Sequence, residues 1–149
     1  VNQFAGVGQA EPSADEKTMA TLAEVLQIVA GWLAPLIIYL IRRESKFVAF
    51  HAMQALLWQV MVFVIWMVVF SVWMIFIFST IVGHAGPQTE NAKFPVGMFV
   101  GFGTVWLGAM SISLVNLILG IYYGIKANRG EWAEYPVIGN WARRIVGVS

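Results

Sequence analysis

Few side chains in this sequence could do chemistry, and they are far apart along it. His51, Gln54 and Trp58 share one helical face, within about 60° of one another at ~100° per residue. A neutral imidazole is a metal ligand, so one reading of His51 is a cofactor-binding position, holding a pigment magnesium or another metal with Gln54 behind it. The competing and favoured reading is a helix-start histidine bonded to neighbouring backbone, at a junction with the segment from Arg129 to Tyr135. Glu24 is the one acid well inside an apolar stretch, and with Gln27 and Asn116 it makes up the intramembrane polar set. Its expected place is near the outer surface, bonded to Lys93, His84 or water, too far from His51 to pair with it. No Ser/His/Asp set, phosphate loop, paired carboxylates or metal-ligand cluster stands out. The expectation is a protein that is not an enzyme, with no metal site.

The elements that hold these residues are set by hydrophobicity. Residues 47 to 82 contain no Lys, Arg, Asp or Glu. A hydrocarbon core of ~30 Å is crossed by ~20 helical residues, so this stretch spans with length to spare. The whole chain of 149 residues is 59% hydrophobic and 11% charged, against about 25% charged for a soluble domain. The absence of cysteine excludes disulfides and thiolate chemistry, and a net charge of +1 argues against nucleic acid as a partner.

Taken in order, residues 1 to 17 read as a mobile, net acidic tail, with Ser13 or Asp15 able to cap a helix starting near Thr18. A first span covers roughly 18 to 41, kinked where Pro35 leaves the Gly31 carbonyl without its helical partner. The long second span follows the basic loop from Arg42 to Lys46. Residues 83 to 94 are turn-rich, and a third span covers roughly 95 to 125. On that span Gly97, Gly101, Thr104, Gly108 and Ser111 form a stripe of small residues, the expected helix-packing surface, and Gly120 and Gly124 add another close-approach pair beside Tyr122 and Tyr123. The segment from 126 to 149 is too polar to span; Val137, Trp141, Ile145 and Val148 share a face that would lie in the interface.

The predicted fold is therefore an all-α membrane protein of three transmembrane helices, 18 to 125, between the tail and an interfacial C-terminal segment. Seven cations (Arg42, Arg43, Lys46, Lys126, Arg129, Arg143, Arg144) against two (Lys17, Lys93) put the N-terminus outside and the C-terminus in the cytoplasm of a bacterial inner membrane.

Three stretches carry a family resemblance. Phe47-Val48-x-Phe50-His51-Ala52-x-Gln54-Ala55-Leu56, the run from Ala34 to Ile41, and Asn128-Arg129-Gly130-Glu131 with Tyr135-Pro136 occur in that family's order. Together they resemble bacterial small membrane proteins related to the Tic-twenty component of the chloroplast import machinery. The resemblance implies a small helical bundle and, as one function, a transport or protein-translocation component. The residues themselves favour a non-catalytic accessory subunit that packs on a larger membrane complex. A photosynthetic or other bioenergetic assembly suits the Trp- and Phe-rich second span. Its expected partners are membrane lipids and larger membrane-protein subunits. No cofactor is required; bound lipid and contact with a chlorophyll-type pigment are the expectations.

Overall fold

The computed structural model describes residues 11–83 and 96–148, and every regular element among them is helical. Helix α1 (Ala14–Ala30) begins four residues earlier than the sequence pattern suggests, because Ser13 and Glu16 form a capping box. The Ser13 backbone N–H donates to Glu16 Oε2 at 2.8 Å, and Glu16 N–H donates to Ser13 Oγ at 3.3 Å. Residues 14–17 thus belong to a helix, while residues 1–10 of the expected tail lie outside the described residues.

The expected first span is two helices. Gly31, at φ +58°, ends α1 in a backbone conformation that favours glycine, and α2 (Leu33–Arg42) starts afresh two residues later. Pro35 therefore falls in the first turn of a new helix, where its missing N–H leaves no bond unmade. The two helices fold back on each other. Arg42 at the end of α2 pairs with Asp15 at the start of α1 (2.8 Å), and the Ser45 hydroxyl donates to Glu16 Oε1 at 2.6 Å. This hairpin returns the chain to where it began.

Ser45 then caps α3 (Lys46–Gly83), accepting from Val48 N–H at 3.3 Å. Helix α4 (Val96–Asn128) ends in a Schellman turn. Gly130 at φ +78° bonds back to the Ala127 carbonyl, and Glu131 N–H to that of Lys126. A short strap, 131–138, leads to α5 (Gly139–Val146), closed by Gly147 at φ +69°. Both α3 and α4 are long and apolar enough to cross a membrane, and almost none of their most apolar stretches is buried. Among the described residues the candidate spans are two.

The chain divides into two compact units. The first takes the chain up to Met61 and from Val115 onward. In its core, Ala49, Phe50 and Met53 of α3 meet Ala142 and Val146 of α5, while Tyr123, Tyr135 and Ile138 form a second cluster. The α5 face carrying Val137, Trp141 and Ile145 is exposed, as the amphipathic pattern implies, but Val148 is buried. The second unit, Val62–Leu114, holds the remaining parts of α3 and α4.

Candidate functional site: a buried polar cluster

The chemically capable residues converge in the first unit. Helix α1 brings Glu24 and Gln27, the first turns of α3 bring His51 and Gln54, and the strap brings Tyr135; Glu24, Gln27, His51 and Gln54 are fully buried. His51 Nδ1 lies 2.9 Å from Glu24 Oε1, and His51 Nε2 lies 3.1 Å from the Glu131 carbonyl oxygen. The expectation that Glu24 and His51 stand near opposite faces is overturned. It rested on α1 and α2 forming one crossing, and the break at Gly31 removes that crossing.

Four donors surround the Glu24 carboxyl. His51 and Gln54 Nε2 (3.0 Å) converge on Oε1, while the Tyr135 hydroxyl (2.6 Å) and Gln27 Nε2 (3.3 Å) reach Oε2. With both oxygens accepting, the group is bonded as a carboxylate. His51 faces acceptors through both nitrogens, the pattern of an imidazolium donating twice. The pair is a buried carboxylate–imidazolium contact with hydrogen bonds completing both partners. That is the arrangement a buried charge pair needs to offset its desolvation.

Gln54 ties this pair to the strap: its amide nitrogen also donates to the Ala133 carbonyl at 3.0 Å, and its oxygen accepts from Tyr135 N–H at 3.2 Å. Gln27 donates to the Tyr135 hydroxyl at 2.7 Å, and Gln59 donates to Gln27 Oε1 and its backbone carbonyl, each at 3.3 Å. Gln59 further reaches Asn116 Oδ1 at 2.9 Å, which also accepts from Trp58 Nε1 at 3.0 Å. A continuous hydrogen-bonded chain thus runs from Glu131 through His51, Glu24, Tyr135, Gln27 and Gln59 to Asn116. Gln59 lies within the uncharged run from 47 to 82 and is not among the expected intramembrane polar residues. A lone amide within that run is the signal that finds it.

Burial, reinforced by the Glu24 charge, pushes the Tyr135 phenol well above its ordinary range. At the margin of the unit, Lys126 bonds Glu131 at 2.8 Å and lowers its pKa. The hydroxyl of Ser45 and the Ser13 cap lower that of Glu16. Arg143 pairs with Glu134, whose carbonyl accepts from the Tyr123 hydroxyl at 2.8 Å.

The other sequence motifs fall into place around this cluster. Phe50 is fully buried, with its ring 5.3 Å from that of His51. Asn128, Arg129 and Gly130 form the end of α4 and its Schellman turn; Pro136 is exposed. Val137, next to it, has φ +78°, a conformation that is costly for a β-branched residue and turns the strap into α5. His84 and Lys93 lie outside the described residues.

The small-residue stripe lies in the second unit. Gly97, Thr104, Gly108 and Ser111 are exposed, and a Cβ on Gly108 would meet nothing within 4 Å. Gly97 and Gly101 border an apolar groove of about 720 Å³ in the second unit, beside Trp73 and Phe76. In the first unit Gly120 and Gly124, the other expected close-approach pair, bring α4 against α1. A Cβ on Gly120 would stand 2.7 Å from Ile28 and 2.9 Å from the Glu24 carbonyl; one on Gly124 would stand 2.9 Å from Val25.

Comparison with known proteins gives a family. Residues 15–142 match the model of the magnetosome magnetite crystal formation protein family. No curated protein and no solved structure matches the chain. This match overturns the resemblance to the Tic-twenty family, and with it the translocation function and the photosynthetic host complex. The chain belongs to the magnetosome magnetite crystal formation family.

Proposed function

We propose that this member of the family serves magnetite formation as a non-catalytic accessory protein of a bacterial inner-membrane system, acting by packing within the membrane rather than by turning over a substrate. One observation carries the reading: the side chains best suited to chemistry are used up on one another. His51 has both nitrogens on protein acceptors, and Glu24 has both oxygens on protein donors. Neither points a spare atom into a cavity, so the cluster acts as a clamp on the α1–α2 hairpin, α3 and the strap. Membrane lipids and larger membrane-protein subunits are its partners in this reading.

The hairpin also changes the topology. With two spans and a hairpin that returns, the N-terminal segment, the loop before α3 and the C-terminal segment share one side. That side holds Lys17, Arg42, Arg43, Lys46, Lys126, Arg129, Arg143 and Arg144, and only Lys93 falls on the other. The positive-inside rule then places both ends in the cytoplasm, in place of an N-terminus outside.

The test is a charge-neutral replacement, Glu24→Gln with His51→Gln, expressed in place of the wild-type chain in a cell that makes magnetite. If the variant is folded and present in normal amount, crystal size by electron microscopy is expected to be retained. Loss of crystals with folded protein in normal amount would mean that the pair acts chemically, and would overturn the non-catalytic reading.

A further inference from the structure

The strap and α5 run in beside α3 and back out again. Three contacts with α3 fix the path, all within the first unit. Tyr135 N–H donates to Gln54 Oε1 at 3.2 Å, and the Arg143 guanidinium stands 5.4 Å from the centre of the Phe50 ring. Lys46 Nζ then donates to the Val146 carbonyl at 2.6 Å. As the chain advances through 135, 143 and 146, its neighbours on α3 retreat through 54, 50 and 46. Gln54 lies eight positions beyond Lys46, ~12 Å along a helix, and α5 with its eight residues is also ~12 Å long. Residues 131–138 thus descend along α3 and α5 returns, with Pro136 and Val137 at the turn. An amphipathic helix lying flat in the interface, as the sequence pattern suggests, would keep one depth along α3; α5 does not.

The backbone of the descending arm is satisfied as it must be in hydrocarbon, where no water is present to bond it. His51 Nε2 lies 3.1 Å from the Glu131 carbonyl, Gln54 Nε2 donates to that of Ala133 at 3.0 Å, and the Tyr123 hydroxyl to that of Glu134 at 2.8 Å. The Tyr135 carbonyl accepts from Gly139 N–H at 3.0 Å, and Pro136 has no N–H to satisfy. Irregular backbone in water needs no such set of side-chain partners. The turn itself is apolar and faces outward: Pro136 is exposed, and Val137, at φ +78°, is 77% exposed. A β-branched side chain held in that conformation, and so little covered by protein, gains from apolar surroundings what it does not gain from packing. Trp141 and Ile145 continue the apolar face along α5, beside exposed Arg144.

We propose that residues 131–148 form a re-entrant membrane hairpin that inserts its Pro136–Val137 turn among the upper acyl chains of one leaflet. The occupant of this face is lipid. The interfacial layer is roughly 6 Å thick on each side of the hydrocarbon. A turn ~12 Å beyond Lys46 along α3 passes through that layer and reaches the first acyl carbons. On the way, Asn140 and the Trp141 indole meet ester carbonyls, and Arg144, near the outer end, meets phosphate. The same unit exposes Val60, Ile118 and Ile121 on the two candidate spans, so one apolar solvent serves all of these side chains. The buried cluster then has a further task, since His51 and Gln54 supply the bonds that irregular backbone needs at that depth. The inference rests on α3 and α4 crossing a membrane.

The experiment uses the full chain, which has no cysteine of its own, with single sites Pro136→Cys, Val137→Cys and Ile145→Cys. Glu44→Cys, exposed in the loop before α3, and Val60→Cys, exposed on α3, are the references. Each protein, with wild-type circular dichroism, carries a nitroxide in phosphatidylcholine vesicles, and its relaxation by oxygen is compared with that by a water-soluble nickel chelate. The oxygen-to-nickel ratio at 136 and 137 should exceed that at 44 several-fold, with 145 between them. Ratios at 136 and 137 equal to that at 44, with site 60 in lipid, would overturn the insertion and leave the spans standing. An aqueous site 60 would overturn the membrane reading of α3, and the inference with it. Equal depth at 137 and 145 would mean that α5 lies flat in the interface, which also refutes the hairpin. Shielding of 136 and 137 from both reagents would show that protein, not lipid, covers the turn, and would refute lipid as its occupant.

Discussion

Replacing Glu24 by glutamine tests the buried pair most directly. The substitution keeps the shape of the side chain and removes its charge. His51 would then remain buried with no counter-ion 2.9 Å away. The new amide nitrogen, wherever it points, would also face two of the four donors that now converge on the carboxylate. Leaving one member of a buried pair uncompensated costs about 3–5 kcal/mol. Against a total stability of ~5–15 kcal/mol that is a large fraction. For a chain of this size it corresponds to a fall in melting temperature of roughly 6–20 °C.

Thermal unfolding in a mild detergent, followed by near-ultraviolet circular dichroism, reads this shift. Glu44→Gln, at an exposed position, serves as the control and should stay within about 0.5 kcal/mol of wild type. The double variant Glu24→Gln/His51→Gln removes both charges and should recover part of the loss, so that the two single effects do not add. A Glu24→Gln protein within about 1 kcal/mol of wild type would refute the claim that an ion pair holds the hairpin to α3. Strict additivity in the double variant would do the same.

Other perturbations separate the parts of the fold. Gly120→Ala should cost about 1–3 kcal/mol in the same melt, because its methyl meets Ile28 and the Glu24 carbonyl, whereas Gly108→Ala should be tolerated. Val137→Gly should raise stability by about 1 kcal/mol by relieving the positive φ at an exposed residue; a clear loss would mean that the Val137 side chain contributes more than its strain costs. The folded state holds the Tyr135 proton above the ordinary phenol pKa of ~10, where the unfolded chain gives it up. Stability from this group is therefore complete below about pH 10 and falls as pH rises beyond it, and melts at about pH 8 and pH 11 should show a smaller drop for Tyr135→Phe than for wild type.

The sequence made α3 and α4 legible because length and apolarity alone identify a helix that can cross a membrane. It also placed His51 at a junction with the strap, where the structure has the Glu131 carbonyl. The hairpin was not legible by the same rule. Residues 18 to 41 contain enough apolar helix for a crossing, and hydropathy does not distinguish one helix of that length from two that fold back. What distinguishes them is local. Gly31 provides the positive φ, Pro35 four residues later suits the first turn of a new helix, and Asp15 and Glu16 are positioned to meet Arg42 and Ser45. A kink at Pro35 and a full turn at Gly31 leave almost the same sequence pattern.

The consequences of that one choice reach the whole molecule. A single crossing separates Glu24 from His51 and makes each an isolated polar residue in search of a ligand. A hairpin brings them together and satisfies both. It also moves Lys17 to the side of the other basic segments, which turns a split of seven cations against two into eight against one. Glu24 is the residue that could have decided between the two arrangements from the sequence. A carboxylate well inside a crossing helix needs a cation at its own depth, and the third span has no cation before Lys126. The second has none after Lys46, so His51 was the one candidate partner in either span, and it could be reached only if residues 18 to 41 did not cross.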